Sequence, residues 1–182
     1  MSVILLRHGN VKKDRTNPPL TPQGEREAAN AGKALADQPI KAIFTSPEDR
    51  TVETAKAWGE QSGAPVKVAP QLEAWNLGAF RGKHSQAADS VVQGLIDRPG
   101  QPAPGGGESA KQYWARFVPF VLELVRDPEL YGVVTHSRGI KSIEALVKGE
   151  GSGMDRETWR QPLIDTGHAV LVTREGLEPI RT

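Results

Sequence analysis

A recurring pattern constrains this chain more than any other feature: a short strand-like run breaks off at a polar cluster, and a segment of helical spacing follows. Val3 to Leu6 is continuously apolar and stops at Arg7-His8-Gly9. Residues 41–45 stop at Ser46-Pro47, Val66 to Val68 forms a third run, and Tyr131 to Thr135 stops at His136. Continuous apolar runs of this length read as strands covered on both faces. Between them, Ala28, Ala31 and Leu35 recur at helical spacing over 22–37, with Thr21 as N-cap and Pro22 at the first helical position. Ser46-Pro47 opens a helix that carries Thr51 to Gln61 and stops at Gly63. Further helices are expected over 85–97, 108–126 and 140–148, the second with Pro119 predicting a kink or break. A last strand over 169–173 can pair with Leu177 to Ile180 across Glu175-Gly176. Alternating strands and helices imply an α/β sandwich with a mainly parallel sheet, in a single domain over 1–182. Residues 83–107 break the alternation, as an insertion over one edge of the sheet would.

Composition removes several function classes. Lys+Arg 23 against Asp+Glu 22 leaves a net charge of +1, which argues against a dedicated nucleic-acid binder. The chain has no cysteine, so disulfides, thiolate metal ligands and a cysteine nucleophile are all excluded. The apolar start, Val3 to Leu6, is too short for a signal segment or a membrane span. A cytoplasmic location with no membrane partner is expected.

In parallel α/β sheets ligands bind beyond the carboxyl ends of the strands. Arg7 and His8 follow the first strand, Arg50 the second, Glu73 the third, and His136 and Arg138 the fourth. Any one of these alone would read as a surface or structural residue. Together they bring guanidinium and imidazole groups to one edge, and an arginine-rich site implies an anion to fill it. The planar guanidinium fork suits phosphate.

Leu6-Arg7-His8-Gly9 resembles the signature of the histidine phosphatase superfamily, the phosphoglycerate mutase-like group. The resemblance continues through Pro19-Leu20-Thr21-Pro22-Gln23-Gly24 and Glu27-Ala28, and through Thr45-Ser46-Pro47-Glu48-Asp49-Arg50-Thr51 with Thr54-Ala55. It returns in Gly107-Glu108-Ser109 with Arg116, and in Val133-Val134-Thr135-His136. It implies a three-layer phosphoglycerate mutase-like sandwich and a phosphoryl transfer in which His8 is the nucleophile. Arg7, Arg50 and His136 would form the phosphate pocket, with substrate contacts from Arg7, Gly9, Asn10, Arg50, His136 and Ser137. Gly9 would let the backbone pass close to the phosphate. No metal and no cofactor are expected, and the partner would be a small phosphorylated substrate.

Departures from the family pattern fall around the proton donor. The family's usual Glu, in the loop before Gly78-Ala79-Phe80-Arg81-Gly82, falls on Ala74, one residue after Glu73. Glu73 is therefore the candidate general acid, with Glu108 as second choice and no acid at all as a third reading. Without an acid, substrates with better leaving groups would be favoured, such as acyl phosphates, phosphohistidine or aryl phosphates. Asn17 is a pocket candidate, although a turn before Pro18 suits it better. Trp75 divides evenly between substrate mouth and core. His84 and His168 read as surface or structural, and Gly149 to Gly153 as a flexible turn. Hydrolysis is the leading reading; a mutase and a non-catalytic phospho-ligand binder are the alternatives.

Overall fold

In the computed structural model, which describes residues 2–12, 16–83, 86–149, 155–161, 164–173 and 175–182, the first apolar run forms strand β1, Ser2–Arg7. It is followed by α1 (Pro22–Ala34), β2 (Ile40–Thr45), α2 (Asp49–Ser62), β3 (Val66–Val68) and α3 (Gln86–Asp97). The chain continues with α4 (Ala110–Arg126), β4 (Leu130–Thr135), α5 (Ser137–Lys148), β5 (Ala169–Thr173) and β6 (Leu177–Ile180). The strands make one sheet in the order β3-β2-β4-β1-β5-β6. β3, β2, β4 and β1 run parallel, and β5 and β6 add an antiparallel edge. This is the mainly parallel α/β sandwich that the alternation implied. Among the described residues no helix is long and apolar enough to cross a membrane.

Pleating sorts the strand side chains into two cores. Ile4 and Leu6 of β1 face α1 and α2, where they pack with Ala31, Leu35, Ile43, Ala55, Trp58 and Val134. Val3 and Leu5 face the opposite layer, with Tyr113, Phe117 and Val121 of α4 and Ile140 and Ile143 of α5. Thr21 caps α1 by accepting from the Gly24 N–H, and Gly63 ends α2 in the left-handed conformation, φ 73°. Ser109 caps α4 in a reciprocal box with Gln112.

Two expectations are corrected. Helix α4 runs unbroken through Pro119. The missing N–H forfeits one intrahelical bond, while Phe117, Val118, Val121 and Val125 stay buried around it and hold the helix to the sheet. The segment after His136 is not a separate turn, because α5 already begins at Ser137 with His136 as its N-cap. His136 thus stands where β4 hands over to a helix N-terminus. The 83–107 segment supplies α3, whose Val92, Leu95 and Ile96 pack in the same core as Trp75 and Trp159.

Gly132 in β4 lies against Trp58 of α2, where an added Cβ would come within 2.4 Å of the ring. Trp58 is fully buried and has nowhere to retreat. Gly132→Ala should therefore destabilise the fold by about 1–3 kcal/mol, read as a lowered urea midpoint with an unchanged slope.

Candidate active site

Three neighbouring parallel strands, β2, β4 and β1, end at the same level, since Arg7 pairs with Thr135 and Val134 pairs with both Leu6 and Thr45. The backbone continues this alignment past the strand ends. The His8 N–H donates to Thr135 O at 3.1 Å and the Ser46 N–H to Val134 O at 3.2 Å. Those junctions place His8, Ser46 and His136 side by side. The His8 and His136 rings meet edge to face with centroids 5.3 Å apart.

His8 is 7% exposed, and its Nδ1 lies 2.8 Å from Gly9 O. A carbonyl only accepts, so Nδ1 carries the proton and Nε2 keeps its lone pair. Burial first, then the neighbouring His136 and Arg50, push the His8 pKa well below its ordinary 6.5. The neutral imidazole is thus the resting form near neutrality. The loop itself is pinned on several sides. Gly9 N–H donates to Thr54 Oγ1 at 3.1 Å, and a Cβ on Gly9 would sit 2.3 Å from Gly24 O. The close approach that requires glycine here is therefore to the first turn of α1.

Two guanidinium groups flank the rings. Arg7 donates from Nη1 to Ile164 O, and its Nε is buried with no partner among the described residues. Arg50 Nη2 lies 3.3 Å from His136 Nδ1, and its Nη1 is likewise buried and unpartnered. Burial lowers the pKa of both arginines from its ordinary value, yet a guanidinium stays charged at any ordinary pH. Buried cationic donors without acceptors mark a place built for an anion.

The remaining sequence candidates are placed as follows. Asn10 is held by the start of α1: its N–H donates to Glu27 Oε2 and its side chain accepts from Thr21 Oγ1. Asn17 Oδ1 accepts the Asp49 N–H and so caps α2, a local role. Ser137 lines a cleft of about 560 Å³ between α5 and β5, together with Ile164, Asp165 and His168. His168 is exposed, and its carbonyl accepts the Arg7 N–H. Arg138 reaches Asp89 of α3 at 3.7 Å. Trp75 is core, 5% exposed and stacked on Tyr113 at 5.3 Å. His84 and Glu150 to Gly153 lie outside the described residues.

Neither carboxylate singled out from sequence touches the two rings. Glu73 makes a half-exposed ion pair with Arg81 at 3.0 Å. Glu108 is held by Arg116 through two bonds of 2.7 and 2.8 Å and also accepts the Asn76 N–H. Those bonds hold its carboxyl below the usual range despite partial burial, so it is ionised. Arg116 additionally donates to the carbonyls of Gln71, Glu73 and Ala74, which makes the Glu108–Arg116 pair a clamp on the loop after β3.

The carboxylate that does reach the site is Glu48, 5% exposed, which sequence reasoning passes over. It occupies the N-cap position of α2, yet its side chain makes no capping bond. Instead Oε2 lies 3.1 Å from His136 Nε2 and accepts from Ser46 Oγ, while Oε1 accepts the Ala74 N–H at 2.9 Å. Those three donors overcome burial and hold Glu48 well below the usual carboxylate range. A charged residue three positions after a strand end, at a cap it does not fill, is the available signal.

The family model for the histidine phosphatase superfamily (branch 1) matches residues 3–178. The chain belongs to that superfamily. It is 31% identical to a 2,3-bisphosphoglycerate-dependent phosphoglycerate mutase of Rhizobium etli, over 79% of this chain and 78% of the relative. It is 29% identical to a glucosyl-3-phosphoglycerate phosphatase of Mycolicibacterium vanbaalenii, over 76% of this chain. In that comparison the chain spans 66% of the relative's length. A mycobacterial glucosyl-3-phosphoglycerate phosphatase solved with VO3 shares the fold, with a TM-score of 0.79 at 21% identity over 98% of this chain and 96% of that one.

Burial lowers the pKa of His136 as well as His8, so both stay neutral in the fold while unfolded histidines protonate near 6.5. Unfolding therefore takes up protons below about pH 6.5, and stability rises with pH through that window. Glu48 enters only below its ordinary 4.5. The urea midpoint should fall between pH 7 and pH 5.5, and His8→Gln should remove part of that fall.

Proposed function

We propose that this protein is a metal-independent phosphomonoesterase that works through a phosphohistidine on His8 Nε2. The observation that carries the reading is the bare Nε2 of His8 beside two buried, unpartnered donors, Arg7 Nε and Arg50 Nη1. A phosphoryl group seated on those donors puts phosphorus in front of the nitrogen. Nε2 attacks in line, the P–O ester bond breaks, and the leaving oxygen departs opposite the nitrogen. Water then attacks the phosphohistidine, the N–P bond breaks, and phosphate leaves. Arg7, Arg50 and His136 stabilise the charge on the non-bridging oxygens, the part that Mg²⁺ plays in kinases.

The substrate is a small phosphorylated molecule, handled in the cytoplasm, with no nucleic acid or membrane partner invoked. The names of the relatives support a phosphorylated small molecule without selecting one. Glu73 stands in an exposed ion pair and Glu108 in a structural clamp. This arrangement favours substrates whose leaving group needs little protonation, such as aryl or acyl phosphates. Hydrolysis is preferred over mutase chemistry because the 83–107 segment is modest and, among the described residues, contributes a single helix, α3.

The test is p-nitrophenyl phosphate hydrolysis in the presence of a chelator. Wild type should turn over, and His8→Ala should lose turnover entirely. Equal rates in the two proteins would overturn the role of His8. Arg50→Ala should keep the fold and lose on the order of 10²–10³ in kcat, as expected for one preorganised donor.

A further inference from the structure

The ring of His136 is held from both ends. Its Nδ1 lies 3.3 Å from Arg50 Nη2, a group that can only donate, so in the free protein Nδ1 is the acceptor. Its Nε2 lies 3.1 Å from Glu48 Oε2 and 3.0 Å from Ser46 Oγ, so Nε2 carries the proton and gives it to the carboxylate. The free site therefore presents a lone pair, not an N–H, at the nitrogen beside Arg50. A phosphate dianion that takes the Arg50 Nη2–H for itself leaves that lone pair facing it, and two acceptors facing each other repel. The conflict is removed when one proton enters between them.

We propose that Glu48 is a positioning residue that holds His136 through Nε2–H and lets the ring accept a second proton at Nδ1 when a phosphate dianion binds. Phosphate binding is then coupled to the uptake of one proton from solvent. The dianion engages Arg50 and the new Nδ1–H, while the imidazolium keeps its Nε2–H on the Glu48 carboxylate. The inference rests on the phosphate-site reading above.

The groups around His136 leave Glu48 as the source of compensation. Arg7 at the end of β1 and Arg50 on α2 are cationic and oppose a charged ring, His8 beside them is held neutral, and Arg138 on α5 pairs with Asp89. Ser46 contributes a hydroxyl without charge. Glu48 is the carboxylate in hydrogen-bond contact with the ring among the described residues, and its burial keeps water from screening the pair. The carboxylate is itself fixed by Ser46 Oγ and by the backbone N–H of Ala74. That residue is the position where the family pattern places its acid. In this chain the loop contributes its amide to a carboxylate at the start of α2 instead of contributing a carboxylate of its own.

The experiment is calorimetric titration of inorganic phosphate at pH 8, in two buffers of different ionisation enthalpy, with wild type and Glu48→Gln. Wild type should take up close to one proton per phosphate. Glu48→Gln should take up far less and bind about tenfold more weakly, the factor that one pKa unit represents. In p-nitrophenyl phosphate hydrolysis the alkaline limb of kcat/KM should move to lower pH by about one unit in the variant, with the loss largely in KM. Glu48→Asp, which keeps the charge, should recover part of the limb. An unchanged proton count and an unchanged limb in Glu48→Gln would overturn the proposal. Should the variants not fold, nitrogen-15 spectra of wild-type His136 decide the matter. Conversion from the neutral Nε2–H form to imidazolium on adding phosphate supports it, and a ring that stays neutral overturns it. A wild type that neither binds phosphate nor hydrolyses the ester would sink the phosphatase reading itself, an outcome distinct from a variant that matches an active wild type.

Discussion

Everything at this site depends on three parallel strands ending at one level. Because β1 lies beside β4 and β4 beside β2, the residues that leave these strands emerge as neighbours although they are far apart in sequence. Arg7 and His8 come from one end of the chain, Ser46 and Glu48 from its first third, and His136 from its last third. The register is set by interior pairs such as Leu6 with Val134 and Val134 with Thr45. A one-residue slip would exchange the two faces of a strand and disperse the cluster. Hydrophobic sorting of Ile4 and Leu6 from Val3 and Leu5 thus also aligns the polar ends.

Concentrating cationic groups at a buried edge is costly, and the protein offsets the cost with a connected set of hydrogen bonds. Glu108 grips Arg116, Arg116 grips the carbonyls of the loop after β3, and Ala74 in that loop donates to Glu48. Glu48 in turn faces His136, which faces Arg50. A carboxylate on the far layer therefore bears on the pocket through a continuous series of contacts. The two carboxylates act differently, since Glu108 shapes a loop and Glu48 sits against a ring. The Gly167 N–H is shared between the carbonyls of Arg7 and His8.

Much of this is legible in the sequence, for identifiable reasons. Strands β1 and β4 are unbroken apolar runs, and Thr21-Pro22 and Gly63 are strong local start and stop signals, so elements and caps can be read directly. Arg7, His8, Arg50 and His136 stand out because each lies at or soon after a strand end. Side-chain direction is the part that cannot be read. The Asn10 side chain turns to Thr21, Trp75 turns into the core against Tyr113, and Glu73 turns to Arg81. Such choices depend on partners distant in sequence. Glu48 escapes notice for the same reason, since its partners are Ser46, Ala74 and His136, and only the fold brings the last two near. Pro119 does not break α4, because tertiary burial outweighs a single lost helical bond.

The immobilisation of the His8 loop has a mechanical meaning. The His8 amide is tied to Thr135, its Nδ1 to the Gly9 carbonyl, and the Gly9 amide to Thr54, while the Gly24 carbonyl leaves no room for a Cβ on Gly9. A ring anchored in this way cannot swing toward an incoming ester. In the proposed reaction the imidazole is the anvil, and the phosphorus atom covers the whole distance between the departing oxygen and the nitrogen. The journey belongs to the substrate.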